Sequence, residues 1–353
     1  MTITEFDRIR TIEEDTRPKI GWHNIVSSDG TGYGMVGSML YEAFLRNGGR
    51  MVGHTDLDWD VHVCVSPPRS IYIGREKFRE DIILHSMFEA TPLPSTWPNI
   101  LNRCGLLWVP SQYVYDLYRD HGVTAPMFKV GYAVDNQMYT FKKREVTDEP
   151  FRVLVWGDGL MTRKNVLTSI KAFLKAELPN SFLEVKVSDG IAPRAGIMWN
   201  QKPVENVIIN SDPWTRLDLV QWLQSGDVGI YLSSGEGYGL MPMEAMATGL
   251  PMIIADNTGM REYANKDVAL MVDCPTTELS QSLTAAYGES HFTVVPDFDQ
   301  AVEHLRWAYH NRTQLYELGE KGSAHVTRQT WDEVALAAMY HITEYANSIK
   351  RSS

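Results

Sequence analysis

Two short apolar runs, VGIYL at 228–232 and PMIIA at 251–255, flank the segment SSGEGYGLMPMEAMATGL, and this pattern constrains the chain more than any other. The runs have the composition of buried strands, and the segment between them is a glycine-rich loop followed by a run of helix formers. A strand, a helix and a second strand in this order form a crossover unit of a parallel sheet. Ligands of such sheets lie beyond the strand C-termini, where glycine loops and helix N-termini present backbone N–H groups. The loop carries one carboxylate, Glu236, and the helix a second, Glu244, one turn in. The expectation is an anion site built on Gly237, Tyr238, Gly239 and Leu240.

Strand and helix patterns alternate twice along the chain, which predicts two α/β domains with parallel sheets. The first series has strands near 20–26, 50–52, 61–65, 81–84, 106–109 and 128–130, with helices near 35–46, 97–102 and 113–120. Residues 136–150 are polar and end in Pro150, so they read as an interdomain linker. The second series has strands near 151–156, 182–187, 207–209, 228–232, 251–255 and 270–272, helices near 165–177, 215–224 and 240–248, and a helical tail from 299. The expected division is 1–140, 141–330 and a last helix in 331–353.

A chain of 353 residues is comfortable for two cores. A net charge of −11 argues against a wholesale nucleic-acid binder, although a local basic patch survives in many acidic proteins. Three cysteines, Cys64, Cys104 and Cys274, without a CxxC pair, indicate neither a disulfide framework nor a zinc knuckle, and fit a cytoplasmic protein. The N-terminus has no signal-peptide pattern, and no apolar run is long enough to insert in a membrane.

The run EGYGLMPMEAMATGLPMI resembles the E-x7-E signature of retaining glycosyltransferases of the GT-B fold, above all glycosyltransferase family 4, the glycosyl transferases group 1. The resemblance implies two Rossmann-like domains with parallel sheets facing across a cleft, an acceptor-side first domain, a second domain that binds the nucleotide sugar, and a last helix crossing back to the first. It implies that Glu236 touches hydroxyls of the donor sugar and Glu244 the ribose. It also implies a UDP- or GDP-linked co-substrate, no metal, no further cofactor, and front-face transfer with retention to a hydroxyl acceptor.

A second block, GLMTRKN at 159–165, follows the first strand of the second series and opens a helix. Arg163 and Lys164 there offer non-titrating charge for a diphosphate, and the family carries a basic pair at this place. In HSMFEATPLPSTW at 85–97, followed by WVPS at 108–111, His85 matches a family histidine that faces the donor sugar, and Glu89 belongs to an aromatic–Glu pair. The loop SSDGTGYGMVG at 27–37 places Gly32 and Gly34 where a ligand can approach the main chain.

Rival readings exist. Gly32, Gly34 and Gly37 also fit G-x-G-x-x-G, with Asp56 at the spacing of a ribose acid, but a dehydrogenase leaves the E-x7-E region unexplained. Asp56 and Asp58 form a D-x-D, a metal motif of the other large glycosyltransferase fold, read here as a solvated turn. A glycosidase using Glu236 and Glu244 puts the second acid on a helix position already given to ribose. A non-catalytic nucleotide-sugar-binding protein would retain Glu244 without turnover. RSIYIGREKFR at 69–79 interleaves cations with aromatics, which keeps DNA with hydroxymethylated bases, the substrate of phage-type enzymes, as an alternative acceptor.

Overall fold

Each strand series forms its own parallel sheet in the computed structural model, which describes residues 17–24, 32–52, 58–68, 82–159, 163–188, 198–199 and 202–352. The chain divides into two units, Met1–Ala133 with Gln329–Ser353, and Val134–Arg328. Residues 25–31, Asp56 with the rest of 53–57, the basic stretch 69–79, and 160–162 lie outside the described residues.

In the first unit the strands are β1 (Lys19–Asn24), β2 (Arg50–Val52), β3 (Val61–Val65), β4 (Ile82–His85), β5 (Leu106–Val109) and β6 (Met127–Lys129), in the order β2-β1-β3-β4-β5-β6. Every residue of β3, β4 and β5 is buried, as expected of parallel strands covered on both faces. Helix α1 spans Gly32–Arg46, α2 Trp97–Leu101 and α3 Gln112–Asp120. Ser111 caps α3 by accepting from the Val114 N–H at 3.3 Å. Helix α1 begins at Gly32 rather than near 35, so Gly32 and Gly34 form its first turn, and buried Gly34 and Gly37 present no side chain to the neighbours packed there.

The C-terminal helix Trp331–Ser352 is part of this unit. Its Asp332 accepts from Arg46 of α1 at 3.1 and 2.9 Å, its Lys350 pairs with Asp60 at 2.8 Å, and His341 stacks on Phe128 with ring centres 4.3 Å apart.

In the second unit the main sheet contains β7 (Phe151–Gly157), β8 (Ser181–Val187), β11 (Val207–Asn210), β12 (Val228–Tyr231), β13 (Met252–Ala255) and β14 (Leu270–Val272), in the order β11-β8-β7-β12-β13-β14. A short pair, β9 (Met198–Trp199) and β10 (Lys202–Pro203), is antiparallel. Helices α4 (Val166–Ala176), α5 (Arg216–Leu223), α6 (Leu240–Ala247), α7 (Gln281–Tyr287), α8 (Phe298–His310) and α9 (Arg312–Val326) complete the unit, together with an antiparallel pair β15 (Thr276–Leu279) and β16 (Phe292–Val295). That last pair was not anticipated, because all four residues of β15 are exposed and no buried face marks it.

The polar segment read as a linker is tied to the second unit. Arg144 donates to the carbonyls of Gly226, Leu223 and Thr248 at 2.7, 2.8 and 3.2 Å, and the Lys142 N–H donates to Thr248 at 3.1 Å. Among the described residues no helix is long and apolar enough to cross a membrane.

Candidate active site

Strands β7 and β12 are neighbours, yet the chain leaves β7 toward β8 and leaves β12 toward β13. The loops after them therefore diverge, and their divergence opens the crevice in which ligands of open α/β sheets bind. The β7 loop carries Arg163 and Lys164, and the β12 loop carries Glu236. The two loops are sewn together: the Ser234 N–H donates to Arg163 O at 2.7 Å, and Asn165 Nδ2 donates to Leu232 O at 2.9 Å and to Ser234 Oγ at 2.6 Å. Gly157 makes room for this arrangement, because a Cβ there would lie 2.7 Å from Val166 and 3.0 Å from the Lys164 Cβ.

Glu236 is 5% exposed, and one of its oxygens collects the cluster. Oε1 accepts from Lys164 Nζ at 2.6 Å, Ser233 Oγ at 2.7 Å and the Tyr231 hydroxyl at 2.9 Å, with the Arg163 guanidinium at 3.1 Å. Burial works to raise the pKa of this acid, but Arg163, Lys164 and the hydrogen bonds from Lys164 and Ser233 outweigh it and hold the carboxyl down at about 2. Arg163 also donates to the Gly235 carbonyl.

The loop that bears Glu236 is fixed against the 3-10 turn Thr258–Glu262. The Glu236 N–H donates to Thr258 Oγ1 at 2.9 Å, and the Gly259 N–H donates to Glu236 O at 3.0 Å. Gly239 has φ +93° and accepts at its carbonyl from the Tyr263 hydroxyl at 2.7 Å, which turns the chain into α6. The N–H groups of Leu240 and Met241, in the first turn of α6, have no intrahelical acceptor and suit an anion.

Glu244 lies on α6 and is partly exposed. Burial pushes its carboxyl up to about 7, against the hydrogen bond from Tyr139 and the charge of Arg216, while Asp135 adds to the rise. Tyr139, 3% exposed, comes from the segment that the sequence presented as a linker.

In the first unit, His85 closes β4 and is 1% exposed. Its Nδ1 lies 3.0 Å from the Trp108 carbonyl, which only accepts, so Nδ1 carries the proton. Burial lowers its pKa to about 4 despite that bond, so the ring is neutral. Nε2 is then an acceptor, and among the described residues it has no partner. The glycine-rich start of α1 meets this turn through Tyr33, whose hydroxyl donates to Met87 O and accepts from the Met87 N–H, both at 3.1 Å.

The structure thus joins Arg163, Lys164 and Glu236 in one cluster, with Gly237, Tyr238, Gly239 and Leu240 in the loop leading to Glu244. Separately, it places Gly32 and Gly34 beside the turn after His85. Asp58 pairs with Lys19, its side chain 84% exposed, and among the described residues no three His, Cys, Asp or Glu side chains are placed to hold a metal. Tyr231, Ser233 and Tyr139 escaped the sequence reading. Ser233 and Tyr231 could have been found by asking what satisfies a buried Glu236, whereas nothing in the polar segment marks Tyr139.

Residues 195–288 match the family described as glycosyl transferases group 1, a stretch that includes both glutamates. No curated protein matches the chain by sequence. Among solved structures, sucrose-phosphate synthase from Thermosynechococcus elongatus is similar at 13% identity and TM-score 0.60, over 91% of this chain and 79% of that one. WaaG, a glycosyltransferase involved in lipopolysaccharide biosynthesis, is similar at 12% identity and TM-score 0.61, over 92% and 99%. Anabaena HepE, solved with UDP-glucose, is similar at 14% identity and TM-score 0.57, over 95% and 100%. Two Rossmann-like units with six-stranded parallel sheets give the chain the GT-B fold of these neighbours, and the second unit contains the stretch that matches glycosyl transferases group 1.

Proposed function

We propose that the chain transfers a hexosyl group from a UDP- or GDP-linked donor to a hydroxyl acceptor in the cytoplasm, with retention of anomeric configuration and without a metal ion. The observation that carries this reading is the cluster of Arg163, Lys164 and Glu236 at the point where the β7 and β12 loops diverge. Arg163 and Lys164 bind the donor diphosphate and offset the charge that develops on it as the glycosidic bond breaks. The N–H groups at the start of α6 add to that field. Glu244 accepts from the ribose hydroxyls.

Glu236 acts as an ionised acceptor for hydroxyls of the donor sugar and not as a nucleophile, since Oε1 is saturated by donors and the low pKa makes it a weak base. His85, neutral and with Nε2 free to accept, serves the sugar in the same sense. The acceptor hydroxyl attacks from the face of the departing phosphate, which takes its proton.

The test is incubation with UDP-glucose and with GDP-mannose in EDTA, with and without a simple glycoside acceptor, read by NMR. The expected product has the anomeric configuration of the donor. Inversion, or activity that only Mn²⁺ restores, overturns the corresponding part of the reading.

A further inference from the structure

Four groups converge on Glu236 Oε1, and they are of two kinds. Lys164 and Arg163 are cations on the β7 loop, and in the function proposed above, on which this inference rests, a diphosphate draws both toward itself. The hydroxyls of Tyr231 and Ser233 belong to the end of β12 and its loop, and they carry no charge that a phosphate attracts. The Tyr231 ring, 1% exposed, is fixed: Trp156 packs on it with ring centres 5.8 Å apart, and Lys164 Nζ lies 5.6 Å from its centre. Among the described residues none donates to Oε2.

We propose that Tyr231, with Ser233, is a positioning residue for the donor sugar: the two hydroxyls hold Oε1 of Glu236 when the cations turn to the diphosphate, and so keep Oε2 presented to a sugar hydroxyl. Tyr231 acts through Glu236 and touches neither the diphosphate nor the ribose. Its removal therefore affects recognition of the sugar and spares recognition of the nucleotide.

The experiment is titration calorimetry of wild type and Tyr231→Phe with UDP and UDP-glucose, and with GDP and GDP-mannose. For whichever pair the wild type binds, Tyr231→Phe is expected to weaken the nucleotide sugar roughly ten-fold, the effect of one hydrogen bond to a charged group. The free diphosphate should change by less than about two-fold, and in a Glu236→Ala background Tyr231→Phe should add less than about two-fold. Equal losses for diphosphate and nucleotide sugar, additive losses with Glu236→Ala, or no loss at all overturn the proposal. Ser233→Ala removes a second donor from the same oxygen and must show the same split, which keeps the test decisive if the phenylalanine variant does not fold. A wild type that binds neither pair refutes the functional reading itself, a result distinct from failure of the split.

Discussion

Glu244 carries a carboxyl whose ionisation the fold resists. Its pKa near 7 lies above the ordinary carboxyl range because burial outweighs Tyr139 and Arg216. The raised value means that ionisation opposes folding: the penalty is absent below the unfolded pKa, grows as pH rises through the ordinary carboxyl range, and is fully present above about 7. Glu244→Gln is therefore expected to stabilise the protein at pH 8 by about 1–3 kcal/mol, measured by denaturant unfolding. In the proposed ribose role, the same change is expected to weaken nucleotide binding, because ribose hydroxyls donate best to an ionised acceptor. In the wild type, nucleotide affinity is expected to fall as pH drops below about 7, by at most about ten-fold per unit, and Glu244→Gln is expected to flatten that dependence. A flat wild-type profile between pH 8 and 5.5 contradicts the ribose role. Glu236 behaves oppositely, since its pKa is depressed to about 2; its ion pairs support the fold above the ordinary carboxyl range and are lost only in strong acid.

The loop between β12 and α6 works because its backbone is packed closely on the 3-10 turn behind it. A Cβ at Gly259 would come within 2.2 Å of Gly237 O and 2.6 Å of the Tyr238 N, backbone atoms that cannot swing aside. Gly259→Ala is thus expected to displace the glycine loop, costing about 2 kcal/mol or more in stability and nucleotide affinity together. Unchanged melting and affinity would show the loop to be more compliant than the packing implies. Most of this element was legible beforehand: VGIYL, the glycines, Glu236, Glu244 and MIIA fall where a strand–loop–helix–strand unit requires, because period and turn chemistry are local. What the sequence concealed is non-local. That Tyr139 lies at Glu244 depends on a polar segment folding back through Arg144, and β15 has no buried face to announce it. The start of α1 was placed late because glycines at 32 and 34 read as loop; Gly34 is buried in the helix, whereas Gly32 is exposed with open space where a side chain would stand.

At the scale of the molecule, the C-terminal helix belongs to the unit that contains β1 to β6. Its buried Trp331, Val334, Ala335, Ala338 and Ile342 provide an apolar face, and the Arg46–Asp332 and Lys350–Asp60 pairs add little at an exposed surface. Truncation after Arg328 is expected to unfold or aggregate the first unit while the second retains its sheet, which limited proteolysis would show as a protected fragment spanning 134–328. Equal protection of both units after truncation would contradict that dependence. In the second unit, Arg163 and Lys164 pair with Glu236, and the proposed role of the two cations is to receive a nucleoside diphosphate. The most direct measurement is titration calorimetry of UDP, GDP, uridine and guanosine against wild type and the Arg163→Ala/Lys164→Ala double variant. The account predicts that wild type binds one diphosphate at least about a hundred-fold more tightly than its nucleoside, and that the double variant loses most of that advantage while retaining the nucleoside affinity. A diphosphate advantage that survives in the double variant, or a wild type that does not distinguish diphosphate from nucleoside, would contradict it.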